Sequence, residues 1–202
     1  MKEDLLGRST VSRRKAAVKL RDITIDNCCE LLIQALEIEE KKNNFLTKVE
    51  LIKTLGIKRC IKAGDYIETH FVDKLEDFNL LKMVAATALI RIKRLNINEV
   101  DIVIDLINKE EYSLTEGALE SLGYDQIVPS IEQQKIILKK CASFGIDRPK
   151  GYTDPRYGLA AACANWDVKL VKDFLNNCLL SNDVPLVYVA KNALERKYVK
   201  LR

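Results

Sequence analysis

A nine-residue pattern that occurs six times constrains this chain more than any other feature. It appears first as SRRKAAVKL, ending at Leu20. It returns as TKVELIKTL, LKMVAATAL, LTEGALESL, PRYGLAAAC and LVYVAKNAL, ending at Leu55, Leu89, Leu122, Cys163 and Leu194. The steps between these ends are 35, 34, 33, 41 and 31 residues. Positions i, i+3, i+4 and i+7 share one face of an α-helix. Ala16, Ala17 and Leu20 therefore form an apolar stripe, while Arg14, Lys15 and Lys19 point largely to water. The fifth position is Ala or Leu in every copy, and the eighth is small in five of six. The second is basic in four copies, as Arg13, Lys48, Lys82 and Arg156. Small residues on a buried stripe let a neighbouring backbone approach closely, which two bulky side chains would prevent.

Each of the first five copies is followed by a second apolar segment. These run near Asp26–Leu36, Asp65–Leu75, Glu99–Asn108, Ile131–Phe144 and Val168–Leu179. Start signals support the pairing: Thr47 with Glu50, and Ser113 with Glu116, have the spacing of a capping box. Asp154 before Pro155 reads as an N-cap with proline at the first helical position. Gly56 and Gly123 directly follow Leu55 and Leu122, where helix-ending glycines are expected. A period of about 30–47 residues built from helix pairs is the mark of an α-solenoid.

The succession of a basic residue, paired alanines and a closing Ala-Leu resembles the first helix of HEAT repeats. LKMVAATAL and SRRKAAVKL carry it best, and DPRYGLAAAC keeps the family's acidic, proline and arginine order. The likeness extends from about Ser9 to Lys197. Thr115 and Val187 depart from the basic position, and Leu51–Ile52 replace the alanine pair. Tetratricopeptide repeats share the period, but their Trp, Gly and Tyr landmarks do not recur. The resemblance implies an all-α chain folded as a right-handed α-α superhelix of the HEAT/armadillo kind, with about five to six helix pairs. One domain is expected over residues 1–202, with repeats near 9–42, 43–76, 77–110, 111–146, 153–181 and 183–202. In that family first helices line the convex side, and second helices the concave side that usually binds partners.

Composition narrows the function less. The net charge of +4 over 202 residues does not establish a concentrated basic face, so a nucleic-acid partner is possible but disfavoured. No apolar run approaches the ~18 residues of a membrane span, and MKEDLLGRST lacks the apolar core of a secretory leader. The expectation is a cytoplasmic protein with no membrane contact. Six cysteines, Cys28, Cys29, Cys60, Cys141, Cys163 and Cys178, contain no C-x-x-C pair. They read as buried, reduced thiols. With His70 the single histidine, no metal site is expected.

The outward faces of the second helices are the candidate partner-binding surface. They carry Glu30, Gln34 and Glu37 on the first, and Asp101, Asp105 and Asn108 on the third. Lys135 and Lys139 follow on the fourth, then Lys172, Asp173 and Asn176 on the fifth. Acidic early and basic or mixed later, this surface suits a protein partner of mixed charge better than a uniformly anionic duplex. The wide 41-residue step falls in SFGIDRPKGYTDPRYG, Ser143 to Gly158, a loop by its Gly145, Pro149, Gly151 and Pro155. Arg148, Lys150, Tyr152, Arg156 and Tyr157 cluster there, and long loops in compact arrays often bind.

No catalytic motif or cofactor loop is present; KTLGIKRC lacks the glycines and the Gly-Lys-Ser/Thr ending of a phosphate loop. His70 lies near Glu68 and Asp73 without a nucleophile tied to it. Some HEAT-like proteins are glycosylases that act on alkylated purines in DNA. Trp166, Asp167, Arg148 and Arg156 supply their residue types without their motif. The leading expectation is a non-enzymatic scaffold that binds a protein. The alternatives are such a glycosylase or a non-catalytic nucleic-acid module.

Overall fold

All six copies of the pattern are helical in the computed structural model, which describes residues 1–23, 25–42, 44–144, 148 and 152–199. They form α2 (Thr10–Lys19), α4 (Phe45–Ile57), α6 (Leu80–Lys93), α8 (Tyr112–Tyr124), α10 (Arg156–Ala162) and α12 (Val184–Leu194). A short α1 (Lys2–Leu6) precedes them. The second helices are α3 (Cys28–Lys42), α5 (Gly64–Ile67), α7 (Asp101–Asn108), α9 (Ile131–Cys141) and α11 (Val168–Leu179). No strand occurs among the described residues. The chain divides into two compact units, Met1–Lys93 and Arg94–Arg202.

In the first unit α2 packs on α4 and α4 on α6. The close approach foreseen from small residues is real and reaches its limit at Gly56. A Cβ there would stand 2.7 Å from the Ala88 Cα and 2.9 Å from its Cβ. In the second unit α8 packs on α10 and α10 on α12. Gly158 serves the same purpose, since a Cβ on it would lie 2.7 Å from the Glu120 amide nitrogen. Ala85, Ala86, Ala88, Ala160, Ala161 and Ala162 are all buried.

Four start and stop signals read differently in the structure. α4 begins at Phe45 because Asn44 accepts from the Thr47 N–H at 3.1 Å, so Thr47 is the capped residue and not the cap. α8 begins at Tyr112, which puts Ser113 and Glu116 inside the helix, both buried. Gly56 and Gly123 also lie inside their helices. The left-handed turns that end these helices fall to Arg59 (φ 49°) and Gln126 (φ 53°). There Cys60 N–H bonds back to Leu55 O and Ile127 N–H to Leu122 O, both at 3.0 Å. These bonds satisfy carbonyls that the helix end would otherwise leave open. Asp154 does act at the start of α10, accepting from the Arg156 N–H at 3.0 Å, although the helix opens one residue later than expected.

The second segment of the second pair is not a plain α-helix. It runs as a 3₁₀ turn (Ile61–Ala63), α5, and a π-helical turn (Glu68–Val72). The thiols also depart from expectation: Cys29 and Cys60 form a disulfide, with Cα atoms 5.4 Å apart. Their separation of 31 residues is close to the repeat period, so the pair joins successive second segments. Cys28, Cys141, Cys163 and Cys178 remain free and buried. Burial pushes the Cys141 and Cys178 thiols up to about 12, which leaves them unreactive near neutrality.

Candidate functional site

The basic residue at the second position of the repeat turns inward. Arg13 is fully buried, donates to Gly7 O at 2.8 Å, and sets its Nε 3.0 Å from Glu39 Oε1, although the angle is not that of a hydrogen bond. Lys82 is buried and donates to Leu75 O at 2.8 Å. Lys48 is likewise buried. Each long side chain covers apolar surface with its stem, and Arg13 and Lys82 spend their charged ends on the segment entering their helix.

Arg156 carries the same position into a larger cluster in the second unit. Its Nη2 lies 2.6 Å from Asp154 Oδ2 and its Nε 3.0 Å from Asp154 Oδ1. Arg148 reaches the same carboxylate from the far side of the loop. It donates from Nη1 to Asp154 Oδ2 at 3.1 Å and from Nε to Tyr152 O at 2.9 Å. Its Nη2 is 3.5 Å from Asp183 Oδ2, on the residue that caps α12. Asp154, only 2% exposed, thus anchors two guanidinium groups. Tyr112, at the start of α8, donates its hydroxyl to Thr153 O, stacks on Phe144 and meets Tyr152 edge-on at 5.6 Å. Burial raises the Tyr112 hydroxyl well above its usual range.

Glu116 lies beneath this clasp, 7% exposed. Burial, and next the charge of Glu120, push its carboxyl up to about 8, against the opposing pull of Arg148 and a hydrogen bond with Thr153. Its carboxyl is therefore mostly protonated at neutral pH, and can donate as well as accept.

The residues read from sequence as partner-binding separate into two kinds. Gln34 on α3, Asp101 and Asp105 on α7, Lys139 on α9 and Asn176 on α11 are all exposed. Within the second unit, α7 and α9 are tied by Gln133 Nε2 donating to Asp101 Oδ1 at 3.2 Å. α9 and α11 are tied by the Asp167 N–H donating to Gln134 Oε1 at 3.0 Å. Asp101, Asp105, Lys139 and Asn176 thus ride on successive, connected helices. Arg148 is different, because its guanidinium is engaged by Asp154, Asp183 and Tyr152 O. Tyr152 keeps an exposed ring above it. Gly145, Pro149, Lys150 and Gly151 lie outside the described residues.

The groups offered for base excision do not share a surface role. Trp166 is 1% exposed and donates its indole N–H to Ile127 O at 2.9 Å, so no face is open for stacking. Asp167 caps α11 through the Lys169 N–H. His70 stacks on Tyr66 at 4.3 Å, with Nδ1 3.0 Å from Tyr66 O. The Tyr66 hydroxyl donates to Glu40. Among the described residues no group of three or more His, Cys, Asp or Glu is placed to hold a metal ion, and no helix is long and apolar enough to cross a membrane.

The chain matches no family model, no curated protein and no solved structure.

Proposed function

We propose that this chain is a HEAT-like, non-enzymatic scaffold that binds a protein partner through the exposed faces of its second helices. In this reading the helix pairs of both units belong to one right-handed α-α superhelix. The observation that carries it is the sequence of charge on α7, α9 and α11. Asp101 and Asp105 are followed by Lys135 and Lys139, then by Lys172, Asp173 and Asn176, all exposed on helices bonded in succession. A surface that changes sign within three helices complements a protein of mixed charge, and does not offer the continuous positive track that a phosphate backbone takes. Ser130 and Asp167 cap α9 and α11, and Gln133 ties α7 to α9, so binding orders little that was mobile.

Affinity capture from the native cell, run beside an Asp101→Lys/Asp105→Lys variant, tests this reading. Loss of one captured protein in the variant supports it. An unchanged set of captured proteins removes the two carboxylates from the surface. Release of bases from alkylated DNA by the wild-type chain defeats the reading outright.

A further inference from the structure

The opposite row of helices in the first unit carries a feature that this proposal leaves unused. Between α2 and α4 lies an open groove of about 450 Å³, lined by Arg14, Lys15, Val18, Lys19, Arg21, Leu46 and Glu50. Its apolar floor is Val18, 41% exposed, and Leu46, 56% exposed. Four cations surround that floor against one carboxylate. The carboxylate is already taken, for Arg21 pairs with Glu50 and also donates from Nε to Thr54 Oγ1 at 3.2 Å. This network fixes one wall. Arg14, Lys15 and Lys19 have no ion-pair partner among the described residues. Lys15 and Lys19 stand one turn apart on α2, an arrangement in which like charges oppose each other. The molecule thus holds an excess of positive charge around two exposed aliphatic side chains.

We propose that this groove binds an acidic segment of a protein partner, with an aliphatic side chain of that segment seated on Val18 and Leu46 and its carboxylates on Arg14, Lys15 and Lys19. Both parts of the groove select this occupant. The floor offers nothing to a phosphate backbone, and the cations would repel a basic amphipathic helix and leave a neutral one without partners for their charge. The inference rests on the reading of the chain as a protein-binding scaffold, but places a second contact on the first-helix side.

The test is fluorescence anisotropy with a labelled peptide of glutamates flanking a central Leu-Leu pair. The titration covers the full-length wild type, Lys15→Glu/Lys19→Glu, Leu46→Ser and Asp101→Lys/Asp105→Lys. Lys15 and Lys19 are exposed, so the charge reversal leaves the helical circular dichroism spectrum intact. Binding should weaken at least about tenfold in the reversed variant, several-fold in Leu46→Ser, and steeply with added salt. It should be unchanged in Asp101→Lys/Asp105→Lys. Equal affinity across all variants, or no binding to wild type, overturns the groove proposal while leaving the α7–α11 surface to its own capture experiment. Tighter binding of a labelled single-stranded oligonucleotide, lost in the reversed variant, overturns it in favour of nucleic acid. Self-association lost in that variant overturns it in favour of a second copy.

Discussion

The two units build the same helix pair and hold it by different chemistry. In Met1–Lys93 the second segments are joined covalently by Cys29–Cys60, and by Lys62 with Glu30 and Tyr66 with Glu40. The second of these segments is irregular, passing through 3₁₀, α and π turns. In Arg94–Arg202 Ser130 and Asp167 cap α9 and α11, and the second helices are regular. They are joined by side-chain amides, and the widest connection is closed by the Asp154 clasp. The pattern of small residues thus specifies how first helices stack, while the ties between second helices are left to local invention. The first unit is accordingly sensitive to reductant, and the second to pH; each holds a buried ion pair, Arg13 with Glu39 in the first and Asp154 with two arginines in the second.

The largest expected effect comes from opening the clasp. Asp154→Ala leaves Arg148 and Arg156, both mostly buried, without their shared carboxylate, and breaking a buried pair costs about 3–5 kcal/mol. Trp166 is the only tryptophan and sits buried in the same unit, so urea unfolding followed by its fluorescence reads the loss directly. A change below about 1 kcal/mol would mean that the clasp is loosely held and that the comparison overstates it.

Next comes the disulfide. Closing a loop of 31 residues restricts the unfolded chain by about 3–4 kcal/mol in the chain-entropy model. Cys29→Ala/Cys60→Ala should lower stability by an amount of that order. Faster hydrogen exchange should be confined at first to α3 and residues 61–72. Alkylation of the intact chain with and without reductant, read by mass, checks the bond itself. Such a bond persists in oxidising surroundings.

A third effect separates the units by pH. The Glu116 carboxyl is raised from an ordinary 4.5 to about 8, chiefly by burial. Between those values the folded chain holds a proton that the unfolded chain has released. Stability from this group is therefore complete below about pH 4.5 and is lost as pH rises to about 8, at no more than about 1.4 kcal/mol per pH unit. Glu116→Gln keeps the hydrogen-bonding shape without the titration. It should flatten that slope and raise stability near pH 8 by about 1–3 kcal/mol. An unchanged slope would assign the pH dependence to another group.

How much of this was legible beforehand depends on the range of the interaction. The helix pairs, their small stripe and the exposure of Gln34, Asp101, Asp105, Lys139 and Asn176 follow from periodicity, which is a local property. The capping boxes at Thr47 and Ser113 failed because Asn44, one turn earlier, and Glu111 were the true starts. A Ser/Thr-x-x-Glu spacing inside a helix looks the same as one that opens it. Glu116 was visible only as part of such a box, for nothing near it foretells burial under Thr153 and Arg148. Asp154 reads as a cap and does accept from the Arg156 N–H at the start of α10, although Pro155 holds the cap position; its second guanidinium arrives through a loop. Cys29 and Cys60 stand nearly one period apart. The repeat arithmetic brings Cys60 near both Cys28 and Cys29, and which of the two it pairs with is set by the local geometry of α3.

The smallest effect tests whether the shared feature is equally tight in both units. Alanine is favoured over glycine inside a helix by about 0.5–1 kcal/mol, so a glycine-to-alanine change should stabilise unless the methyl has no room. At Gly158 it meets the backbone of Leu119 and Glu120 at 2.7–2.9 Å, and at Gly56 the Cα and Cβ of Ala88 at 2.7–2.9 Å. Neither neighbour can rotate away, so each pair of helices must separate, at an overpacking cost of about 1–3 kcal/mol. Net destabilisation of about 1 kcal/mol is expected for Gly56→Ala and for Gly158→Ala alike. Gly64 is the internal control. Its methyl would touch only side-chain atoms, the nearest being Ile92 Cγ2 at 3.4 Å, so Gly64→Ala should be neutral or slightly stabilising in thermal unfolding. If Gly56→Ala behaves like Gly64→Ala, the first unit can widen its helix spacing where the second cannot. Small residues would then be a requirement of only one half of the repeat.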